Sequence, residues 1–277
     1  MTTHPELESK AIRFHELHHL SHAPLILVNA WDAASARMVE EAGATAVATS
    51  SSAISWSSGY RDGNHLPREL AMEALERIAS AVRLPVTADI ETGYGRSDVE
   101  LRGTVQAVLD AGAIGINIED SADQPLTDIA EQARRISLIR HMADEAGVEL
   151  FINARTDTYW SGKYPDTAYE ETLKRAESYQ RAGADGIFVP GVVDLHILHE
   201  LSRRIAAPLN ALAGFGSPSP GELHDVGVRR ISLGGSPARA AYAAVSRLAK
   251  EVLGDGKWSG LAGSRSYFEM DALFGER

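Results

Sequence analysis

Five times along the chain a helix-like segment runs into the same passage, a glycine flanked by small or apolar residues and then a largely apolar run. It reads E-A-G-A-T-A-V-A-T from Glu41, D-A-G-A-I-G-I-N-I from Asp110 and E-A-G-V-E-L-F-I-N from Glu145. It returns as R-A-G-A-D-G-I-F-V from Arg181 and D-V-G-V-R-R-I-S-L from Asp225. Glycine suits the left-handed conformation that ends a helix. The apolar run after it fits a parallel strand covered on both faces. Three further strands without the full passage are expected at 25–29, 86–89 and 208–211, the first two entered through a proline. Helices are expected near 33–42, 67–80, 98–111, 127–146, 167–182, 194–205, 220–226 and 237–253. Eight alternating units predict an α/β fold of the (β/α)8 TIM-barrel type, with a leading helix over 5–20 closing the barrel bottom. The rival, an open doubly wound sheet, is disfavoured because L-I-L-V-N-A-W-D carries no G-x-G-x-x-G.

The length of 277 residues, 44% of them hydrophobic, suits one barrel domain over 1–277, with an N-terminal helix in 1–22 and a tail at 254–277. The tail aromatics Trp258, Tyr267, Phe268 and Phe274 are expected to pack either on a neighbouring subunit or back on their own barrel. A net charge of −11 argues against a nucleic-acid partner. No apolar run is long enough to span a membrane, and the polar N-terminus lacks a secretory core, so a cytoplasmic location is expected. Zero cysteines exclude disulfides, thiolate metal sites and a cysteine nucleophile.

In such barrels chemistry sits at the carboxyl ends of the strands. Those ends are strongly polar here. In T-A-D-I-E-T-G-Y-G, Asp89 and Glu91 are two apart on a strand end and project to one side. In I-N-I-E-D, Glu119 and Asp120 end the next strand. Converging carboxylates with no nearby Lys or Arg in either run suggest hard oxygen ligands for Mg2+ or Mn2+. Asp120 is read instead as structural, capping a helix locally or pairing with an arginine. Asp62, in G-Y-R-D-G-N-H-L-P, is by itself a turn residue. Ser50, Ser51 and Ser52 open a loop that either cradles anionic oxygens or is a solvated turn. Arg155 in N-A-R-T-D-T either clamps an anionic substrate or pairs structurally with Asp157 or Glu119. Asn210 either binds a substrate carboxylate or ties two loops together. Trp31 belongs to the same ring of strand ends. Tyr94 either presents its hydroxyl to the site or packs, and His65 is either an acid–base group or a lone surface histidine.

Together these segments resemble the isocitrate lyase and phosphoenolpyruvate mutase superfamily. The resemblance runs from N-A-W-D at Asn29 to I-S-L-G-G at Ile231 and rests on the ordered serine strand end, G-Y-R-D, A-D-I-E-T-G-Y-G, I-E-D and N-A-R-T-D. It implies a Mg2+-dependent barrel enzyme acting on small α-keto or α-hydroxy acids, assembled as a homotetramer, or as a dimer, with the last helix exchanged between subunits. It implies that Asp89 ligates the metal directly and that Glu91, Glu119 and Asp62 hold it through water. It also implies that Ser50–Ser52 bind the substrate carboxylate, and that Arg155 and Asn210 contact substrate oxygens. Many members have aspartate where this chain has Glu91. The lyases' K-K-C-G-H or K-R-C-G-H loop is missing, since I-E-D-S-A-D-Q-P-L-T-D-I runs almost directly into the next helix. The mutases' lysine after E-D is Ser121 here, and their histidine after the sixth strand is Pro190. The expected activity is therefore carbon–carbon bond cleavage or decarboxylation through an enolate. A phosphorus–carbon mutase or hydrolase is the first alternative, and a non-catalytic keto-acid binding protein is the alternative of another class.

Overall fold

The computed structural model describes residues 4–20, 22–121 and 126–275. Nine parallel strand segments form one sheet: β1 (Leu25–Leu27), β2 (Asn29–Ala30), β3 (Val47–Thr49), β4 (Val86–Asp89), β5 (Gly115–Glu119), β6 (Phe151–Arg155), β7 (Gly186–Val189), β8 (Leu209–Leu212) and β9 (Val228–Ser232). The sheet order is β1-β9-β8-β7-β6-β5-β4-β3-β2. The expected first strand is thus broken at Val28: its first part pairs with β9 and its second with β3. Because the two parts are adjacent in the chain, the eight strand positions form a ring, a TIM-type barrel.

The helices are α1 (His4–Leu17), α2 (Ala33–Glu41), α3 (Ser51–Ser57), α4 (Arg68–Ala81), α5 (Asp98–Asp110), α6 (Ile129–Glu145), α7 (Ala168–Arg181), α8 (Leu195–Arg204), α9 (Pro220–Asp225), α10 (Ser236–Asp255) and α11 (Tyr267–Ala272). The five recurring glycines adopt φ between 67° and 104°, the conformation their position after a helix requires. The buried positions Leu7, Ala11, Phe14 and Leu17 recur at helical spacing, which seats α1 against the barrel. Phe14 meets Phe151 edge-on at 5.5 Å between ring centroids.

One expectation is overturned. Ser50–Ser52 do not open a loop: Ser50 is the N-cap of α3, accepting from the Ala53 N–H. The run S-S-S-A-I-S-W-S buries Ala53, Ile54 and Ser55, so one helical turn onto the barrel outweighs the turn preference of serine.

The tail makes polar contacts with its own barrel: Arg265 pairs with Glu41, and Arg37 Nε donates to the Leu273 carbonyl at 2.7 Å. Its aromatics Trp258, Tyr267 and Phe268 nevertheless stay exposed, and of the twenty residues of α10 only Ala238 is buried. Among the described residues no helix is long and apolar enough to cross a membrane. The shortened segment after I-E-D falls partly on residues 122–125, outside those described.

Candidate active site

A cavity of about 350 Å3 lies at the carboxyl ends of the strands. Alternation along each strand sends every second side chain inward. Asp89, Asn117, Arg155, Phe188, Leu212 and Ser232 therefore reach the cavity from β4, β5, β6, β7, β8 and β9. Ser50–Ser52 and Trp56 join them from the start of α3, Asp62 from the loop after it, and Trp160 and Pro190 from further loops. One wall is acidic and hydroxylic; the other is apolar. A depression of about 510 Å3 elsewhere, lined by His18, Arg203 and Arg229 among others, contains none of these groups.

Asp89 uses one carboxylate oxygen, Oδ2, to accept from the Ser51 N–H (3.1 Å) and hydroxyl (2.7 Å). Its Oδ1 has no partner among the described residues. Asp62 faces the same cavity, and burial together with the Asp89 charge pushes its pKa up.

Glu91 does not line the cavity. Its Oε2 accepts the Asn64 N–H, and Oε1 is buried without a hydrogen-bond partner. Glu91, Tyr94 and Asn64 are the three non-glycine residues with positive φ among those described (50°, 51° and 60°). They form one junction between two loops, to which Thr92 adds a hydroxyl hydrogen bond to Asn64 Oδ1 at 2.9 Å. Strain of this kind persists where the surroundings over-determine it. Burial pushes the Glu91 carboxyl up to about 7 against the Asn64 N–H, with the charges of Asp89 and Asp62 adding to the rise. Tyr94, beside it, is pushed well up by burial and by Glu91. Tyr94 and His65 line a separate outer cavity with Arg68 and Arg96, so the two sequence candidates for acid–base work are not gathered with Asp89.

The folded Glu91 thus keeps a proton that the unfolded chain has released between its ordinary pKa near 4.5 and about 7. Stability without a divalent ion is expected to fall as pH rises through that window, by roughly 3 kcal/mol at its end. Thermal midpoints in chelator across the window check this. Glu91→Gln should reduce the slope, leaving the share of Asp62 and Glu119, which burial also raises; a midpoint that climbs with pH would contradict it.

Arg155 contacts two acids, through all three of its guanidinium nitrogens. Nε and Nη2 donate to Asp157 at 2.6 and 2.9 Å, and Nη1 lies 2.6 Å from Glu119 Oε2. The register explains the second contact, since Glu119 and Arg155 are directly opposed on β5 and β6. The two carboxylates hold Arg155 above its ordinary value despite burial. Burial pushes Glu119 up while Arg155 pulls it back. Three of the five guanidinium N–H groups are engaged in these contacts, leaving two for a ligand. The Phe188 ring packs against it at 5.6 Å. The structural ion pair and the cavity position therefore coexist.

Asp120 caps no helix but pairs with an arginine, the other structural option. It is buried, accepting from Arg175 (3.0 Å), Tyr179 (2.8 Å) and the Asp157 N–H (3.0 Å). Asn210 lies below the cavity, fully buried, accepting from Asn153 (3.1 Å) and donating to Ser232 (3.1 Å) and to the Ala211 carbonyl. It ties β8 to β6 and β9, strands rather than the two loops of its second reading. Trp31 packs on Tyr242 with ring centroids 6.3 Å apart and does not line the cavity. Two interior residues escaped the sequence reading, Asn117 and Arg230. Both stand two residues before a polar strand end, Glu119 and Ser232; in β5 the polar interruption of an apolar run was the available signal, whereas in β9 the neighbouring Arg229 masks it.

Among the described residues no three acidic or histidine side chains come close enough to ligate one ion directly, so the four expected carboxylates do not form a cage. The donor set still fits Mg2+, which binds through one or two carboxylates and retains water. Asp89 offers a free oxygen, with Asp62 lining the same cavity. Burial and the Asp89 charge raise Asp62, Glu91 and Glu119 together, and Glu91 leaves an oxygen orphaned.

Comparison with known proteins gives consistent neighbours. A family model described as phosphoenolpyruvate phosphomutase matches residues 14–253. An uncharacterized protein of Mycobacterium tuberculosis is 39% identical over 263 residues, covering 94% of this chain and 95% of that one. The crystal structure of a putative phosphonomutase from Burkholderia cenocepacia superposes with a TM-score of 0.83 at 42% identity, covering 87% of this chain and 99% of that one. The 2-methylisocitrate lyase of Bacillus subtilis is 28% identical over 256 residues, covering 87% of this chain and 81% of that one.

Proposed function

The chain belongs to the phosphoenolpyruvate mutase/isocitrate lyase superfamily, a family of lyases and mutases, and from that premise we propose that it is a Mg2+-dependent lyase or decarboxylase cleaving a carbon–carbon bond of a small α-keto or α-hydroxy acid. One observation carries the reading. Arg155 is shared by Glu119 and Asp157, and among the described residues neither Asp62 nor Asp89 has a cation at ion-pair distance, the nearest lining cation besides Arg155 being Arg239 at the mouth. Such an acidic wall repels an organic acid unless a divalent cation comes first. Asp89 would hold the ion, with Asp62 lining the same cavity and Glu91 and Glu119 acting through water. Bound there, Mg2+ supplies Lewis-acid polarisation of the keto group.

The chain's own groups do the rest. The hydroxyls of Ser50 and Ser52, 3.0 Å apart, and the two remaining Arg155 N–H groups face substrate oxygens. Charge that develops on the keto oxygen as the carbon–carbon bond breaks meets these preorganised donors. Trp56, Trp160, Phe188, Pro190 and Leu212 supply the apolar wall, which excludes water from the departing carbon. The test is a panel of α-keto and α-hydroxy acids with Mg2+, followed by release of pyruvate or a homologous keto acid. Release from none of them would overturn the reading.

The family match and the Burkholderia neighbour favour a second reading, phosphorus–carbon chemistry. Ser121 and Pro190, where the mutases carry lysine and histidine, weigh against it. Conversion of phosphonopyruvate, followed by phosphorus NMR, separates the two.

We place the enzyme in the cytoplasm as a homotetramer or dimer in which α10 and the tail lie on a neighbouring subunit. The exposed apolar residues support this: Val245, Leu253 (87% exposed), Tyr267 and Phe268 are uncovered. Sedimentation should give a multiple of 29.8 kDa; a monomer at micromolar concentration would exclude the assembly.

A further inference from the structure

Beneath the cavity the barrel interior is polar. Arg230 on β9 is fully buried, and no carboxylate among the described residues touches it. Its contacts are Asn117 Oδ1, 3.0 Å from Nη2, His18 Nε2, 3.4 Å from Nη1, and the faces of Phe14 and Phe151 at 5.8 and 5.9 Å. Its Nε has no partner among the described residues. The β8–β9 register slips between Leu209 and Asn210, so that Asn210 opposes Arg230 and Arg229 is passed over. Irregularities of this sort re-aim side chains beside functional sites.

The contact orients Asn117 without ambiguity. A guanidinium only donates, so the oxygen of the amide must face it. The same oxygen accepts from Asn153 Nδ2 at 2.9 Å. The Asn117 amide nitrogen has no partner among the described residues, and Asn117 lines the cavity. Arg230 is fixed from below as well. His18 Nδ1 lies 2.8 Å from the Phe14 carbonyl, so it carries the proton and Nε2 accepts from Arg230. Burial lowers His18 well below its ordinary value, which keeps it neutral, and brings Arg230 down to about 9, still charged at neutral pH.

Resting on the proposed function, we infer that Asn117 is a substrate-binding residue whose amide N–H2 group donates to an oxygen of the bound organic acid, and that Arg230 is the positioning residue that holds it in that orientation. The pair supplies donors from the cavity floor, opposite the mouth where Arg239 donates to Ser236 at 2.9 Å. A bound acid would then be held between floor and acidic wall. Its oxygen would meet an amide polarised by a cation that no acid neutralises at contact distance.

Calorimetric titration of oxalate in the presence of Mg2+, a probe needing no knowledge of the substrate, tests the inference on the full chain. Asn117→Ala should weaken oxalate binding about tenfold to a hundredfold, measured well below its thermal midpoint, which should fall because Arg230 and Asn153 lose their shared acceptor. Asn117→Asp, which offers no N–H2, should weaken it at least as much. Arg230→Met should produce the same loss, Arg230→Lys should restore most of it, and the Asn117→Ala/Arg230→Met double variant should bind no worse than Asn117→Ala alone. If Arg230→Met does not fold, the two Asn117 variants decide. Asn117→Ala within twofold of the unaltered protein overturns this inference alone. Losses that multiply in the double variant overturn the positioning role of Arg230. Absence of oxalate binding by the unaltered protein overturns the proposed function and this inference together.

Discussion

Asp89→Ala is expected to abolish Mg2+-dependent oxalate binding and to lower turnover by at least about a thousandfold, roughly 4 kcal/mol of transition-state stabilisation. Asp89 offers the cavity a carboxylate oxygen with no partner among the described residues, and its second oxygen is anchored to both the N–H and the hydroxyl of Ser51. The anchoring makes Asp89→Asn the informative companion. Its amide oxygen can still accept from Ser51, so α3 should start in the same place, while the charge that attracts a cation is gone. Both variants should lose activity, and only the alanine should loosen the start of α3. Chelation by EDTA should reproduce the loss in the unaltered protein, and added Mg2+ or Mn2+ should reverse it. Activity in Asp89→Ala, or indifference to chelation, would remove the metal from the scheme.

The second large effect is expected at Arg155, on stability as well as on turnover. Removing the guanidinium leaves Glu119 and Asp157 buried side by side without a counter-ion. Breaking a buried pair by deleting one partner costs about 3–5 kcal/mol, which in a chain of this size lowers the thermal midpoint by roughly 10 °C. Arg155→Met combined with Glu119→Gln and Asp157→Asn should recover much of that stability, because no charge is then stranded. It should not recover turnover, because the guanidinium that lines the cavity is missing. Thermal melts and steady-state assays on the same preparations distinguish the two losses. An Arg155→Met variant as stable as the unaltered protein would contradict the triad's structural weight.

The barrel was legible because its determinants are local. A glycine after a helix and an unbroken apolar run are written in consecutive residues, and the five recurrences identify the units. Asp89 was legible as well, since strand alternation fixes the side to which it points. The helix at Ser51–Ser57 was hidden by composition: serine signals both caps and turns, and only burial of Ala53 and Ile54 decides between them. Glu91 shows a different limit. Its spacing from Asp89 suggests a shared direction, but a positive φ turns it toward the loop bearing Asn64, and that contact depends on a segment 27 residues away. The partner of Glu119 required the register of β5 against β6, which no single strand encodes. Arg230 remained invisible because an arginine in a strand is ordinarily read as an outward-facing charge.

The barrel's bore is hydrogen-bonded from end to end, His18 to Arg230 to Asn117 to Asn153 to Asn210 to Ser232. Each member takes its place from the next, so a replacement at one strands a polar group on its neighbour. A library randomised at single interior positions should therefore return the resident residues. One randomised at several together should yield apolar plugs that fold well and are inert. The protein's tolerance of change is thus a property of the set, and the lineage can drift there only by coordinated steps.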